Sequence, residues 1–225
     1  MAFLGSTLPE MMTVDQFDKA WEDWSFPEVD FVVAETNDYA EEALIGLEVC
    51  RSFGLDAMVT FASVHPTHTF DGYDYVTACK MLEDAGATIV GLNCSRGPEL
   101  MLPLLERIRA AVDCAVAVQP VPFHTTHAVP AFESLTHADG RRAFPIELEP
   151  FGASRFEMAE FARRARDLGA DFIGICCGGG PHHVRAMAEA LGRETPASRN
   201  SPALDLHPVL GVTEHQVMSR WAAAS

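Results

Sequence analysis

The chain has 225 residues, enough for one domain with a sizeable core, and 48% of them are hydrophobic against 21% charged. Its formal net charge is −16, and Lys19 and Lys80 are the two lysines among 16 basic residues. An acidic surface of this kind repels nucleic acid and anionic membranes, and no apolar run reaches the roughly 18 residues that a membrane span needs. We therefore expect a soluble globular protein with no nucleic-acid partner and no membrane partner.

The start of the chain, MAFLGSTLPEMM, lacks the basic segment and the long apolar run of a signal peptide. Without a secretion signal, cysteines in a chain of this length are expected to be reduced thiols, and we expect a cytoplasmic location. The six cysteines are Cys50, Cys79, Cys94, Cys114, Cys176 and Cys177.

Five short apolar segments alternate with five amphipathic ones. In chain order, strands predicted at 30–35, 57–61, 88–93, 115–119 and 172–176 are followed by helices predicted at 39–54, 75–86, 98–112, 154–169 and 182–192. The strands are almost continuously apolar, which is typical of parallel strands buried on both faces. The repeated βα order predicts a parallel sheet, either an open doubly wound sheet or a (β/α)₈ barrel.

Two long loops interrupt this order, at 62–72 and 120–153, and each follows a strand. Loops at the carboxyl ends of strands commonly carry the functional sites of α/β proteins. Their histidines, together with His182 and His183 after the three glycines, are expected to provide loop polarity or to support neighbouring site residues rather than to bind metal. The segment 193–225 is rich in Pro and Ser, and it predicts an irregular arm with a short helix at 212–222.

Thiols follow two of the predicted strands. Cys94 ends the segment GLNC, and Cys176 and Cys177 end GICC, which is followed directly by three glycines. In a barrel these strand ends converge, and three thiolates with one open coordination position form the pattern of a catalytic zinc site. Adjacent side chains on a strand point to opposite faces, and the glycines allow the backbone to turn so that both thiols face inward. The alternatives are cysteines packed in a core, a reactive vicinal pair, or a cysteine redox protein.

Several segments of the chain resemble the homocysteine S-methyltransferase family, and most of all its betaine–homocysteine branch. They include VDFVVAETNDYAEEA, GATIVGLNCSRGPE, AVAVQPVPFHT and LEPFGASRFEMAEF, and GLNC pairs with a later CCG. The resemblance implies a (β/α)₈ barrel with Zn²⁺ held by Cys94, Cys176 and Cys177. It also implies transfer of a methyl group to the thiol of homocysteine, which gives methionine. The expected donor is an onium compound of the betaine type, and a sulfonium compound or a folate-derived methyl group are the alternatives.

The expected ligand set suits this chemistry. A free alkyl thiol has a pKa of about 8.5 and is mostly protonated at neutral pH, whereas zinc binds the thiolate. By resemblance, Glu35 is similar to the glutamate that receives the amino group of homocysteine. Asn93 and Gln119 end predicted strands and are expected to face the same site.

The predicted βα units number five, whereas the family barrel has eight, so the resemblance implies strands 4–8 of a truncated barrel. Residues 1–28 are interpreted as a remnant of the preceding βα unit, with MAFLGS as its strand and VDQFDKAWEDW, at 14–24, as its helix. Residues 29–192 then form the homocysteine-binding partial barrel, and 193–225 form the arm. An incomplete barrel leaves strand edges unpaired. We expect a fragment or truncated member of the family, and a homo-oligomer or a partner chain that completes the barrel are the alternatives. The alternative function is a non-catalytic zinc- or thiol-binding remnant, or a partner subunit of a split barrel.

Overall fold

The computed structural model describes residues 29–203 together with the backbone of residues 2–4. The chain divides into two units, Met1–Arg193 and Glu194–Ser225. The first unit contains all the strands and α-helices described below, and the second contains a 3₁₀ turn at Pro196–Asn200. The helices expected at 14–24 and 212–222 lie outside the described residues.

Strands and helices alternate along the first unit in the predicted order. The strands are β1 (Ala2–Leu4), β2 (Phe31–Asn37), β3 (Asp56–Ala62), β4 (Ile89–Asn93), β5 (Ala115–Gln119) and β6 (Phe172–Ile173). The helices are α1 (Ala40–Ser52), α2 (Tyr75–Asp84), α3 (Pro98–Arg109), α4 (Arg155–Asp167) and α5 (Pro181–Ala190).

The sheet has six strands that follow one another in chain order, β1 to β6, and every neighbouring pair is parallel. A doubly wound sheet would reverse its strand order at a switch point, whereas an unbroken order is that of a barrel wall. The fold is therefore an arc of a (β/α)₈ barrel. The segment MAFLGS, interpreted as a strand remnant, contributes β1, which pairs with β2.

The two faces of the sheet bury different side chains. Val59 and Leu92 belong to a large core that also includes helical residues such as Leu47 and Leu82. Met58 belongs to a small separate cluster on the inner face of the arc. This alternation follows from the two-residue period of a strand, and it explains why strands covered on both faces are apolar throughout.

Local sequence signals fix the ends of the helices. Asp74 accepts hydrogen bonds from the backbone of Val76 and Thr77 at the start of α2. Ser154 and Glu157 form a reciprocal capping box at the start of α4. These side chains satisfy backbone N–H groups that have no partner within the helix.

Two strands differ in length from the prediction. The first predicted strand continues to Asn37, so Glu35 lies within β2 rather than at its end. The last predicted strand ends at Ile173. Beyond it the chain still runs beside β5, because the Gly174 N–H donates to the Val118 carbonyl at 3.0 Å.

The loop 120–153 folds back on itself at the carboxyl end of β5. The His124 N–H donates to the Phe151 carbonyl at 2.7 Å, and the Ala153 N–H donates to the Pro122 carbonyl at 2.8 Å. Two 3₁₀ turns, Phe132–Ser134 and Glu149–Phe151, lie between these closing bonds. The loop thus forms a closed layer beside the strand ends. Within the described residues, no helix has the length and apolar character needed to span a membrane.

Candidate metal centre

Three cysteine sulfurs meet at the carboxyl end of the sheet. The Sγ atoms of Cys94, Cys176 and Cys177 all lie within 4.8 Å of one another, and those of Cys94 and Cys177 are 3.6 Å apart. Cys94 directly follows β4, whereas the other two follow β6. The structure thus brings together the three thiols that the sequence singled out.

Strand β5 sets the spacing of these thiols. Asn93 and Gln119 are register partners in the β4–β5 pair. One step further on, the Cys94 N–H donates to the Gln119 carbonyl at 2.9 Å, and the Cys176 N–H donates to the Pro120 carbonyl at 2.9 Å. Two consecutive carbonyls, at the last residue of β5 and at the residue after it, therefore hold the two separate cysteine segments side by side.

The backbone at Cys94 has an unusual conformation. Cys94 and Ser95 have φ values of 56° and 61°, in the left-handed region that residues with a side chain rarely adopt. Each such residue costs roughly 1–2 kcal/mol, so other contacts must hold it in place. The Ser63 hydroxyl donates to the Cys94 carbonyl at 3.0 Å, and the Phe132 N–H donates to the Ser95 carbonyl at 2.8 Å.

Glycine makes the turn after Cys177 possible. Gly178 has φ of 84°, and a Cβ atom there would lie 2.6 Å from the ring of Phe123. This conformation and this close contact exclude any side chain. The chain therefore turns immediately after the two adjacent cysteines, and both thiols reach the cluster.

The geometry of the thiols fits a tetrahedral zinc ion. Zn–S bonds of about 2.3 Å in tetrahedral geometry place neighbouring sulfurs about 3.8 Å apart. The Cys94–Cys177 separation of 3.6 Å is close to this value. Three thiolates are also a donor set that zinc prefers, and they leave one coordination position for a further ligand.

The thiols influence one another's ionisation. A hydrogen bond to Cys176, together with burial, raises the pKa of the Cys94 thiol. The same hydrogen bond from Cys94 lowers the pKa of Cys176 to about 6. Burial, followed by the charge of Cys176, raises the pKa of Cys177. One thiolate therefore forms readily in the cluster, and closely spaced negative charges oppose the others until a cation balances them.

Asn93 connects the cluster to the neighbouring strands and is fully buried. Its Oδ1 accepts hydrogen bonds from the Thr36 N–H and the Thr60 hydroxyl, both at 2.9 Å. Its Nδ2 donates to the Thr36 hydroxyl at 2.7 Å and points to the Cys176 sulfur at 3.7 Å. The predicted site residue is thus a buried crosslink that supports both Cys176 and the segment after Glu35.

Glu35 and Gln119 line one cavity beside the cluster. It has a volume of about 500 Å³ and also contacts Cys176 and Cys177. The Oε1 atom of Gln119 is buried there and has no hydrogen-bond partner among the described residues. The cavity therefore offers two oxygen acceptors next to the thiols, from a carboxylate and from an amide.

A second cavity, of about 560 Å³, lies beside Cys94 and Cys177. Its walls come mainly from the loop 120–153 and include three phenylalanines and the carboxylate of Glu133. The cysteine cluster thus borders two cavities, one with the oxygen acceptors of Glu35 and Gln119 and one with aromatic walls.

Sequence reasoning missed Glu133, which shapes the site, and it gave His183 no more than loop polarity or a supporting contact near the site. His183 is buried, where its Nδ1 accepts from the Gly180 N–H and its Nε2–H donates to the Ala153 carbonyl, both at 3.1 Å. It thereby connects the glycine turn to the loop 120–153. Glu133 lies in an irregular loop without periodicity, so its position next to the cysteines had no signal. For His183, the only sequence signal was its place just after the glycines, at a helix start.

Comparison with known proteins identifies relatives. The family model described as "Homocysteine S-methyltransferase" matches residues 8–191. The chain is 33% identical over 205 residues to an S-methylmethionine–homocysteine S-methyltransferase, BHMT2, of Pongo abelii, covering 85% of this chain and 54% of that protein. It is 32% identical over 193 residues to betaine–homocysteine S-methyltransferase 1 of Mus musculus, covering 80% of this chain and 46% of that protein. The chain therefore spans about half the length of these curated relatives.

Solved structures with the same fold include the homocysteine methyltransferase MmuM of Escherichia coli. Its apo form aligns with a TM-score of 0.59 at 16% identity, covering 84% of this chain and 62% of that one. Its metallated form aligns with a TM-score of 0.56, also at 16% identity, covering 80% and 53% of the two chains. At this identity the likeness shows the fold alone.

Replacing Asn93 tests its role as a buried crosslink. Asn93→Ala leaves the Thr36 N–H and the Thr60 hydroxyl without their acceptor, so we expect the free energy of unfolding to fall by roughly 2–4 kcal/mol. Urea unfolding in the presence of a chelator measures this without any contribution from metal. The matched control is Asn200→Ala, at an exposed position, which should change stability by less than about 0.5 kcal/mol. Equal effects of the two substitutions would contradict the assignment.

Proposed function

The chain belongs to the homocysteine S-methyltransferase family, and from this premise we propose that it binds Zn²⁺ through Cys94, Cys176 and Cys177 and methylates the thiol of homocysteine. The product is methionine, and the methyl donor is a small onium compound, either a quaternary ammonium or a sulfonium ion. The observation that carries the proposal is the convergence of three thiols, from two separate strand ends, between two cavities.

Zinc held by these cysteines would keep a substrate thiol ionised near neutral pH, where a free alkyl thiol with a pKa of about 8.5 is mostly protonated. The three cysteinates would neutralise the charge of the ion and leave one unit of negative charge. The protein's part is to hold the sulfurs in place before the ion arrives. The left-handed turn at Cys94, the glycine turn after Cys177 and the Asn93 crosslink perform this task.

Glu35 and Gln119 would bind the amino group of homocysteine. The ammonium group carries three N–H donors and one positive charge, and this cavity presents a carboxylate and an unpartnered amide oxygen beside Cys176. A charge-assisted hydrogen bond to Glu35 would orient the substrate with its thiol toward the cysteine cluster. The names of two relatives support homocysteine as the acceptor. One is named for S-methylmethionine as the donor and the other for betaine, but both are named for homocysteine.

A second candidate function is a zinc- or thiol-binding subunit without activity of its own. Among the described strands, β1 and β6 each pair on one side only, and Phe172 of β6 is 40% exposed. A second copy of the chain or a partner chain would cover these edges and complete the barrel wall. Zinc binding without any binding of homocysteine would favour this candidate.

Metal binding tests the ligand set directly. We expect the wild-type chain to bind one Zn²⁺, and Cys94→Ser to weaken binding by about 100-fold or more because one of three thiolates is lost. Competition with a chromophoric chelator measures the affinity. Cys114→Ser is the matched control, because Cys114 lies outside the cluster, and it should bind zinc like the wild type. Unchanged affinity in Cys94→Ser would refute the proposed ligand set.

Homocysteine binding tests the role of Glu35. In the zinc-loaded chain, Glu35→Gln removes a charge-assisted hydrogen bond, so we expect the dissociation constant of homocysteine to rise about 10- to 100-fold with zinc content unchanged. Isothermal titration measures the first and metal analysis the second. Glu48→Gln, at an exposed position on α1, makes the same charge change and should leave binding as in the wild type. If both variants bind homocysteine equally well, Glu35 does not bind the amine.

A further inference from the structure

The second cavity beside the cysteines has an aromatic wall. The rings of Phe123 and Phe132 are stacked with centroids 5.5 Å apart, and Phe144 meets Phe132 edge-on at 5.4 Å. All three residues line the cavity together with Cys94 and Cys177. A molecule bound here would contact both the aromatic rings and the sulfur cluster. Aromatic faces attract cations through the negative potential of the π-system.

A carboxylate lies within this aromatic wall. Glu133 lines the cavity, and its Oε1 accepts a hydrogen bond from the Ser95 hydroxyl at 3.2 Å. Its Oε2 is buried and has no hydrogen-bond partner among the described residues. The nearby Arg142 guanidinium donates to the backbone carbonyl of Glu133 rather than to the carboxylate. A partly buried carboxylate of this kind is stabilised by a positive charge placed next to it.

Burial raises the pKa of Glu133, and hydrogen bonds from its own backbone and from the Ser95 hydroxyl oppose the shift. The negative charge of Glu133 also acts on Asp38. Burial, then the charge of Glu42, then the charge of Glu133 raise the pKa of Asp38 to about 6. The other charged residue that lines the cavity is Glu149. Among the described lining residues there is no Lys, Arg or His. The cavity therefore complements a cation and has no group to receive an anion.

We propose that Glu133 determines the specificity of this cavity for the methyl donor, selecting an onium cation that carries no carboxylate close to its charged centre. The inference rests on the proposed function and narrows its donor class. In glycine betaine the carboxylate is one carbon from the nitrogen, so it would have to enter the same cavity. There it would be repelled by the carboxylates of Glu133 and Glu149, and no basic lining residue would offset the repulsion. A sulfonium or quaternary ammonium ion whose substituents are uncharged near the centre meets no such repulsion.

The charge balance of the reaction agrees with this role. As the new S–CH₃ bond forms, the donor's bond between carbon and the positive nitrogen or sulfur breaks, and its electron pair stays on that nitrogen or sulfur. The product at this position is a neutral sulfide when the donor is a sulfonium ion, whereas a tertiary amine released from an ammonium donor takes up a proton from water and becomes a cation again. Glu133 therefore attracts a sulfonium donor but not its sulfide product, which favours release of that product after transfer.

Binding of two matched probes tests the proposal. Tetramethylammonium and glycine betaine share the same trimethylammonium group and differ by one carboxylate. On the zinc-loaded chain, titration monitored by NMR should show that tetramethylammonium binds about tenfold more tightly than glycine betaine. In Glu133→Gln, which keeps an acceptor for Ser95, tetramethylammonium binding should weaken about tenfold and the preference should largely disappear.

Two controls separate this inference from the proposed function. Glu106→Gln, at an exposed position on α3, makes the same charge change and should retain the wild-type preference. Zinc content is measured in every sample. If zinc binds but Glu133→Gln keeps the wild-type preference, or if the wild-type chain prefers glycine betaine or binds neither probe, the role of Glu133 is refuted. If the preference depends on Glu133 but zinc does not bind, the cavity assignment stands and the proposed function fails.

Discussion

The site depends on two consecutive carbonyl groups, that of the last residue of β5 and that of the residue that follows it. The Gln119 carbonyl holds the Cys94 N–H and the Pro120 carbonyl holds the Cys176 N–H. Because these acceptors are consecutive, the distance between the two cysteine segments is fixed by the backbone rather than by flexible side chains. This arrangement requires β4 and the segment after β6 to lie on opposite sides of β5, as they do in a barrel wall with sequential strand order. The strand order of the fold therefore also determines the positions of the cysteine sulfurs.

The cluster also separates two chemically different spaces. On one side, Glu35 and the unpartnered oxygen of Gln119 offer acceptors for an ammonium group. On the other side, aromatic rings and Glu133 surround a space with no basic lining residue in the described part of the chain. A transfer reaction needs two molecules to meet at one sulfur from different directions, and this geometry provides for both.

The sequence predicted the parts of the site that follow regular strands. Cys94 and Cys176 follow apolar segments of a parallel sheet. The carboxyl ends of such strands lie at one edge of the sheet, independently of the loop conformations, so the convergence of the two cysteines could be expected. Asn93 was expected to face the site, but three of its four side-chain contacts are with Thr36 and Thr60 of other strands, and the sequence pattern alone does not pair these residues. Glu133 could not be predicted, since its place is set by the closing hydrogen bonds of a long irregular loop. The early end of β6 also escaped prediction, because Gly174 and Ile175 continue an apolar pattern after regular pairing has stopped.

The most direct test of the account is X-ray absorption spectroscopy at the zinc edge of the zinc-loaded chain. The account predicts three sulfur neighbours at about 2.3 Å and one lighter atom at the remaining position. A spectrum with two or fewer sulfur neighbours, or with a first coordination sphere made of nitrogen and oxygen alone, would contradict the claim that Cys94, Cys176 and Cys177 share one metal ion.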